Sequence, residues 1–142
     1  MNLLFVCTGN TCRSPMAEGF AKEIFKNDNV LSAGLYVNSG DMVSKNSVDA
    51  MLEYEIDISN HIPTQITLRL VQEADYIIPM TQSHKTALLR SGVDESKIIM
   101  FDEQISDPYG QSLEVYKQCA AQIKRNIELL FKRIYENNWI IK

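Results

Sequence analysis

The segment Cys7-Thr8-Gly9-Asn10-Thr11-Cys12-Arg13-Ser14-Pro15 places a soft nucleophile and a guanidinium at the two ends of a short polar turn. A thiolate at Cys7 suits attack on phosphorus, and the planar fork of Arg13 suits two oxygens of a phosphoryl group as they flatten in the transition state. Gly9 is expected to supply the unusual dihedrals of an anion nest. Ser14 is expected to reach the sulfur with its hydroxyl and to cap the following helix, with Pro15 at the first helical position. Thr8, Gly9, Asn10, Thr11, Cys12 and Ser14 then line or support the substrate pocket. A cysteine alone packs as a small buried hydrophobe. The spacing from Cys7 to Arg13-Ser14, with the glycine inside it, favours chemistry over packing. A Walker-type Gly-x4-Gly-Lys-Ser/Thr loop is absent from the sequence.

The flanks fit that reading. Leu3-Leu4-Phe5-Val6 reads as a buried strand, and Ala17, Phe20, Ala21 and Ile24 recur at helical spacing. A loop between strand end and helix start turns backbone N–H groups and the helix dipole towards one anion. Further strands are predicted at Val30–Ala33, Ala74–Ile78 and Lys97–Phe101. Helices are predicted over about 44–55, after Thr81 to a stop at Gly92, and from Ser112 onward, where Leu113, Tyr116, Ala120, Ile123, Ile127, Leu130 and Ile134 form one stripe. Strands alternating with helices give an α/β fold. It is a single three-layer domain over residues 1–142, with a central parallel sheet of about four strands, helices on both faces and the anion loop after the first strand. Met51 and Cys119 read as core, Tyr36 as a residue that can line the pocket mouth, and His84 as a surface or capping residue.

These motifs resemble the low-molecular-weight protein tyrosine phosphatase family along nearly the whole chain: Val6 to Glu18, Ser32-Ala33-Gly34, Ala74-Asp75 leading to Met80, and Asp107-Pro108-Tyr109-Gly110. Thr11, where the tyrosine phosphatases usually carry isoleucine, is most similar to the bacterial protein arginine phosphatase branch. The resemblance implies Cys7, Arg13 and Asp107 as catalytic residues, with Asp107 the general acid and a phosphocysteine intermediate. It also implies a hydrolase acting on phosphorylated proteins, with phosphoarginine favoured and phosphotyrosine the alternative. Tyr109 would wall the pocket. His61 matches a family position that braces the loop from behind, whereas Pro63-Thr64 departs from an arginine common in the family. An arsenate reductase would carry a further cysteine pair in mid-chain, and residues 80–92 contain none. A non-catalytic phosphoresidue-binding module would not require Cys7, Arg13 and Asp107 together.

Composition narrows the partners. Among 142 residues, 45% are hydrophobic and 23% charged, and the net charge of −4 leaves no basic footprint for nucleic acid. No run reaches the length of a membrane span or a signal-peptide core. The three cysteines and absence of a secretion signal suit a reducing cytoplasm. Cys12, on the same loop as Cys7, is expected to serve as its reversible redox partner. No metal or other cofactor is expected, and the chain is expected to act as a monomer.

Overall fold

The apolar run ahead of Cys7 becomes the middle strand of the sheet. In the computed structural model, which describes residues 1–136, β1 (Asn2–Cys7) pairs in parallel with β2 (Asn29–Gly34) on one side and β3 (Tyr76–Pro79) on the other. The register sets Cys7 opposite Gly34 and Val6 opposite Pro79. Pro79 thus closes an outer strand, where a missing N–H is tolerated.

Alternation along β1 divides the core. Leu3, Phe5 and Cys7 face the larger cluster, while Leu4 and Val6 face the smaller. The larger cluster is covered by α1 (Arg13–Ile24), α2 (Lys45–Leu52) and α5 (Leu113–Phe131), whose stripe supplies Tyr116, Ala120, Ile123, Ile127 and Leu130. The opposite face lies under α3 (Leu68–Glu73) and α4 (Gln82–Arg90), through Leu70, Val71 and Leu88. Side-chain caps start four of these helices: Ser44, Thr67, Thr81 and Ser112 each accept a backbone N–H from the first turn. Gly92, at φ +92°, follows the end of α4, as expected.

The sheet has three strands rather than about four. Lys97–Phe101 begins with the 3-10 turn Glu95–Lys97 and reaches β3 only at the bridge Ile77–Ile98, continued by the Ile99 N–H to the Ile77 carbonyl at 3.0 Å. The next rung of a parallel ladder would need an N–H at residue 79 for the Ile99 carbonyl, and Pro79 has none, so the pairing stops there. The Met100 carbonyl, facing away from β3, accepts from Arg133 at 2.7 Å. The short α3 has no counterpart in the sequence reading. At the far end, α5 passes into a π-helical turn over Lys132–Glu136. The expected domain limit at residue 142 lies outside the described residues. No helix among those described is long and apolar enough to cross a membrane.

Candidate active site

The polar loop from Thr8 to Cys12 joins β1 to α1 at the carboxyl end of the middle strand. Its carbonyls are engaged by neighbouring segments: Cys7 O accepts from Leu35 N at 3.0 Å, Thr8 O from Tyr36 N at 2.9 Å and Thr11 O from Ser44 N at 2.8 Å. Among the described residues, no amide from Thr8 to Cys12 donates to another protein group. The loop therefore offers a concentration of unpaired donors at the start of α1, the arrangement that holds oxyanions. The left-handed backbone position is Asn10, at φ 55°, and not Gly9. Asparagine tolerates that region because its side chain bonds locally. Glycine is required instead at Gly34, where an added Cβ would lie 2.9 Å from both Asn10 N and Gly9 C.

A buried polar chain backs the sulfur. Thr64 N donates to Asn10 Oδ1 at 2.9 Å, which fixes the amide orientation, and His61 Nε2 meets the same oxygen at 3.0 Å. Asn10 Nδ2 then donates to Ser14 Oγ at 2.7 Å and to Ser32 Oγ at 2.9 Å. Ser32 Oγ in turn donates to Glu18 Oε1 at 2.6 Å. Because Ser14 Oγ already accepts, its hydroxyl proton is free for Cys7 Sγ, 2.9 Å away. Burial holds the His61 imidazole below its usual range despite Glu18 at 3.8 Å. Asn10 and Ser14 thus stand behind the loop rather than on the pocket wall. Nor does Ser14 cap α1: Cys12 occupies the N-cap without a side-chain bond, and Pro15 falls at the third helical residue, still within the turn that needs no donor.

In front of the sulfur lies a cleft of about 740 Å³ lined by Cys7, Thr8, Gly9, Thr11, Cys12, Arg13, Asp107 and the buried Tyr116, with the exposed Tyr36 and Tyr109 at its rim. Arg13 is 5% exposed, and its guanidinium is oriented by Nη1 donating to Ile105 O at 3.0 Å. Nη2 lies 3.6 Å from Asp107 Oδ2. Asp107 is half exposed and is held in a turn by the Tyr109 N–H on Oδ1 at 3.0 Å. One cleft therefore brings the thiol, the fork of donors and a half-exposed carboxyl together from residues about a hundred positions apart. The rim residues Tyr36 and Tyr109 are both highly exposed.

Cys12 Sγ packs 3.4 Å from the Tyr116 hydroxyl, and burial together with that sulfur pushes the phenol up to about 12. Cys7, Cys12 and Cys119 are all free. Burial raises the Cys119 thiol to about 12, consistent with an inert core position. Among the described residues no group of His, Cys, Asp and Glu is placed to hold a metal.

Of the two expectations for His84, surface or capping, the structure shows the capping contact with Thr81 but buries the side chain. It is 4% exposed, with Nε2 2.9 Å from Thr8 Oγ1 and Nδ1 3.0 Å from Thr81 Oγ1. Burial, and secondarily the Arg13 charge, lower it to about 4. The capping element Thr81-x-x-His84 is visible in the sequence, but the contact with Thr8 is made only by the fold.

Residues 2–139 match the family described as low molecular weight phosphotyrosine protein phosphatase. A protein-arginine-phosphatase of Bacillus subtilis is 34% identical, over 94% of this chain and 97% of that protein. Among solved structures, the YwlE arginine phosphatase, as a C7S mutant with phosphorylated active site serine, superposes with a TM-score of 0.89 at 32% identity, covering 94% of this chain and 95% of that one. A low molecular weight protein tyrosine phosphatase from T. tengcongensis gives 0.86 at 36% identity, covering 94% and 99%.

Proposed function

This chain belongs to the low molecular weight phosphotyrosine protein phosphatase family, and on that premise we propose that it dephosphorylates phosphoarginine in proteins, with Cys7 as nucleophile. The observation that carries the reading is the shared cleft of Cys7, Arg13 and Asp107, with Ser14 aimed at the sulfur from behind. A hydroxyl donor, an adjacent guanidinium and unpaired amides favour a thiolate and the equatorial oxygens it attacks.

The reaction has two displacements. The Cys7 sulfur forms a bond to phosphorus while the P–N bond breaks, and the Asp107 carboxyl gives its proton to the departing guanidino nitrogen. Water then attacks phosphorus, its proton passes to the Asp107 carboxylate, the S–P bond breaks, and inorganic phosphate leaves with the thiolate restored. Arg13 and the loop amides hold the phosphoryl oxygens in both steps. No cofactor takes part.

Three features support a guanidinium leaving group. Thr11 is small and polar at the cleft, the Asp107 carboxyl has a second oxygen that can accept from the substrate's remaining nitrogens while the first supplies the proton, and the Bacillus subtilis relative is an arginine phosphatase. Phosphotyrosine is the second reading, favoured by the exposed aromatic rims Tyr36 and Tyr109, on which a phenyl ring can stack. Initial rates on phosphoarginine and phosphotyrosine peptides, for wild type and Thr11→Ile, test the choice. The arginine reading expects wild type to prefer phosphoarginine and Thr11→Ile to move the ratio towards phosphotyrosine. A wild type that prefers phosphotyrosine overturns it. We place the enzyme in the cytoplasm as a monomer acting on phosphorylated proteins rather than nucleic acid or membrane, a reading supported by its free thiols and net charge of −4.

A further inference from the structure

Resting on that reading of the cleft, we propose that His84 is a positioning residue whose neutral ring turns the Thr8 hydroxyl into a hydrogen-bond donor for the phosphoryl group. His84 belongs to α4, beneath the opposite face of the sheet from α1, yet its ring bridges Thr81 Oγ1 at 3.0 Å and Thr8 Oγ1 at 2.9 Å. Thr8 is the residue after the nucleophile and lines the cleft.

The direction of the hydrogen bonds decides what Thr8 offers the substrate. Thr81 Oγ1 accepts the His84 N–H at 3.4 Å as the helix cap and contacts Ser83 Oγ at 2.9 Å. If Ser83 donates to Thr81, both lone pairs of Thr81 are taken and its own proton goes to Nδ1. Nε2 then carries the ring proton and donates to Thr8 Oγ1, which leaves the Thr8 proton for a phosphoryl oxygen. In the opposite tautomer Nδ1–H donates to Thr81, Nε2 accepts from Thr8, and Thr8 presents lone pairs to an anion. Both tautomers satisfy the protein's own groups. A bound oxyanion separates them, because a lone pair facing a dianion is repelled while an O–H is a charge-assisted donor. The charged groups acting on the ring are Arg13 and Asp107, and the neutral form persists at neutral pH because burial and Arg13 both oppose protonation. The ring also ties the α4 end of the sheet to the loop, so the hydroxyl is held in place before substrate arrives.

The test uses the intact enzyme saturated with inorganic phosphate. Nitrogen-15 NMR of the His84 ring is expected to show a protonated Nε2 and a bare Nδ1, with the Nε2 resonance displaced in Thr8→Val. The reverse tautomer overturns the proposal. In parallel, Thr8→Val is expected to weaken competitive inhibition by phosphate about 10-fold, as for loss of one hydrogen bond to a charged group. His84→Gln, whose amide can donate to Thr8, should retain more of the phosphate affinity than His84→Leu, and unchanged inhibition in both Thr8→Val and His84→Leu contradicts the proposal. The ring assignment is read in the phosphate-bound enzyme without turnover, so it stands or falls separately from whether Cys7 performs the reaction.

Discussion

Replacing Asn10 with alanine removes the central brace of the loop and little else. The side chain is fully buried and makes four hydrogen bonds, to Ser14, Ser32, His61 and Thr64. Ser14 retains Cys7 as a partner and Ser32 retains Glu18, whereas the Thr64 N–H loses its acceptor. At about 1 kcal/mol net for each bond, the loss is about 4 kcal/mol, a large share of a typical total of about 5–15 kcal/mol. Alanine must also hold φ 55°, adding on the order of 1 kcal/mol. Asn10→Gly loses the same bonds without that backbone strain, so the two variants isolate it. For a chain of this length Asn10→Ala is expected to lower Tm by roughly 10 °C or more. Urea unfolding followed by circular dichroism should place glycine above alanine by about 1 kcal/mol and both well below wild type. Without the Asn10 amide, Ser14 is free to accept from the thiol rather than donate to the thiolate, so kcat/KM should also fall by about 10 to 10². If Asn10→Ala unfolds within about 0.5 kcal/mol of wild type, the range of an ordinary surface substitution, the side-chain network does not hold the loop.

Gly34→Ala would drive a Cβ to 2.7 Å from Val37 Cγ2 and 2.9 Å from the backbone at Gly9 and Asn10, so the loop itself must shift. We expect about 1–3 kcal/mol of destabilisation together with a fall in kcat, measured by urea unfolding and steady-state kinetics; unaltered kcat would show that the loop tolerates the displacement. The pH dependence of stability has a definite sign. His84 titrates at about 4 in the folded chain and at about 6.5 when unfolded, so the unfolded state binds the proton first and stability is lost as pH falls from about 6.5 towards 4. His61 is shifted the same way by burial. Urea midpoints should therefore decline across that window, and His84→Gln should flatten the decline.

The parts of the site legible in the sequence were those set by local spacing. Cys7, Arg13 and the strand and helix around them lie within one short segment, and Asp107-Pro108 announces a stiff turn, so residue types alone carry the assignment. The rest depends on contacts across the fold. Ser32, although part of the Ser32-Ala33-Gly34 motif, and Thr64 become braces of the loop only because β2 and the segment after it pass behind Asn10. His84 looks like a helix-cap residue because Thr81 is its near partner; its other partner, Thr8, lies on a different layer. The left-handed position went to Asn10 because its side chain bonds hold it there, an advantage that Gly9 lacks. Lys97–Phe101 has the apolar character of a strand, but its neighbour β3 ends in Pro79, which has no N–H for the rung that would follow the Ile99-to-Ile77 bond. In α3 the apolar residues are too few for their period to register.

The account depends most directly on a covalent bond between Cys7 and phosphorus. Asp107→Asn, which lacks the proton for the leaving group and the base for water, should slow turnover by about 10² to 10⁴. Rapid mixing of that variant with a reactive aryl phosphate, which needs little acid assistance, followed by quenching and peptide mass spectrometry, should find a phosphoryl group on the peptide containing Cys7. The same peptide from Cys7→Ala should carry none, and turnover should be lost with it. Phosphate recovered on another residue, or full activity in Cys7→Ala, would contradict the mechanism.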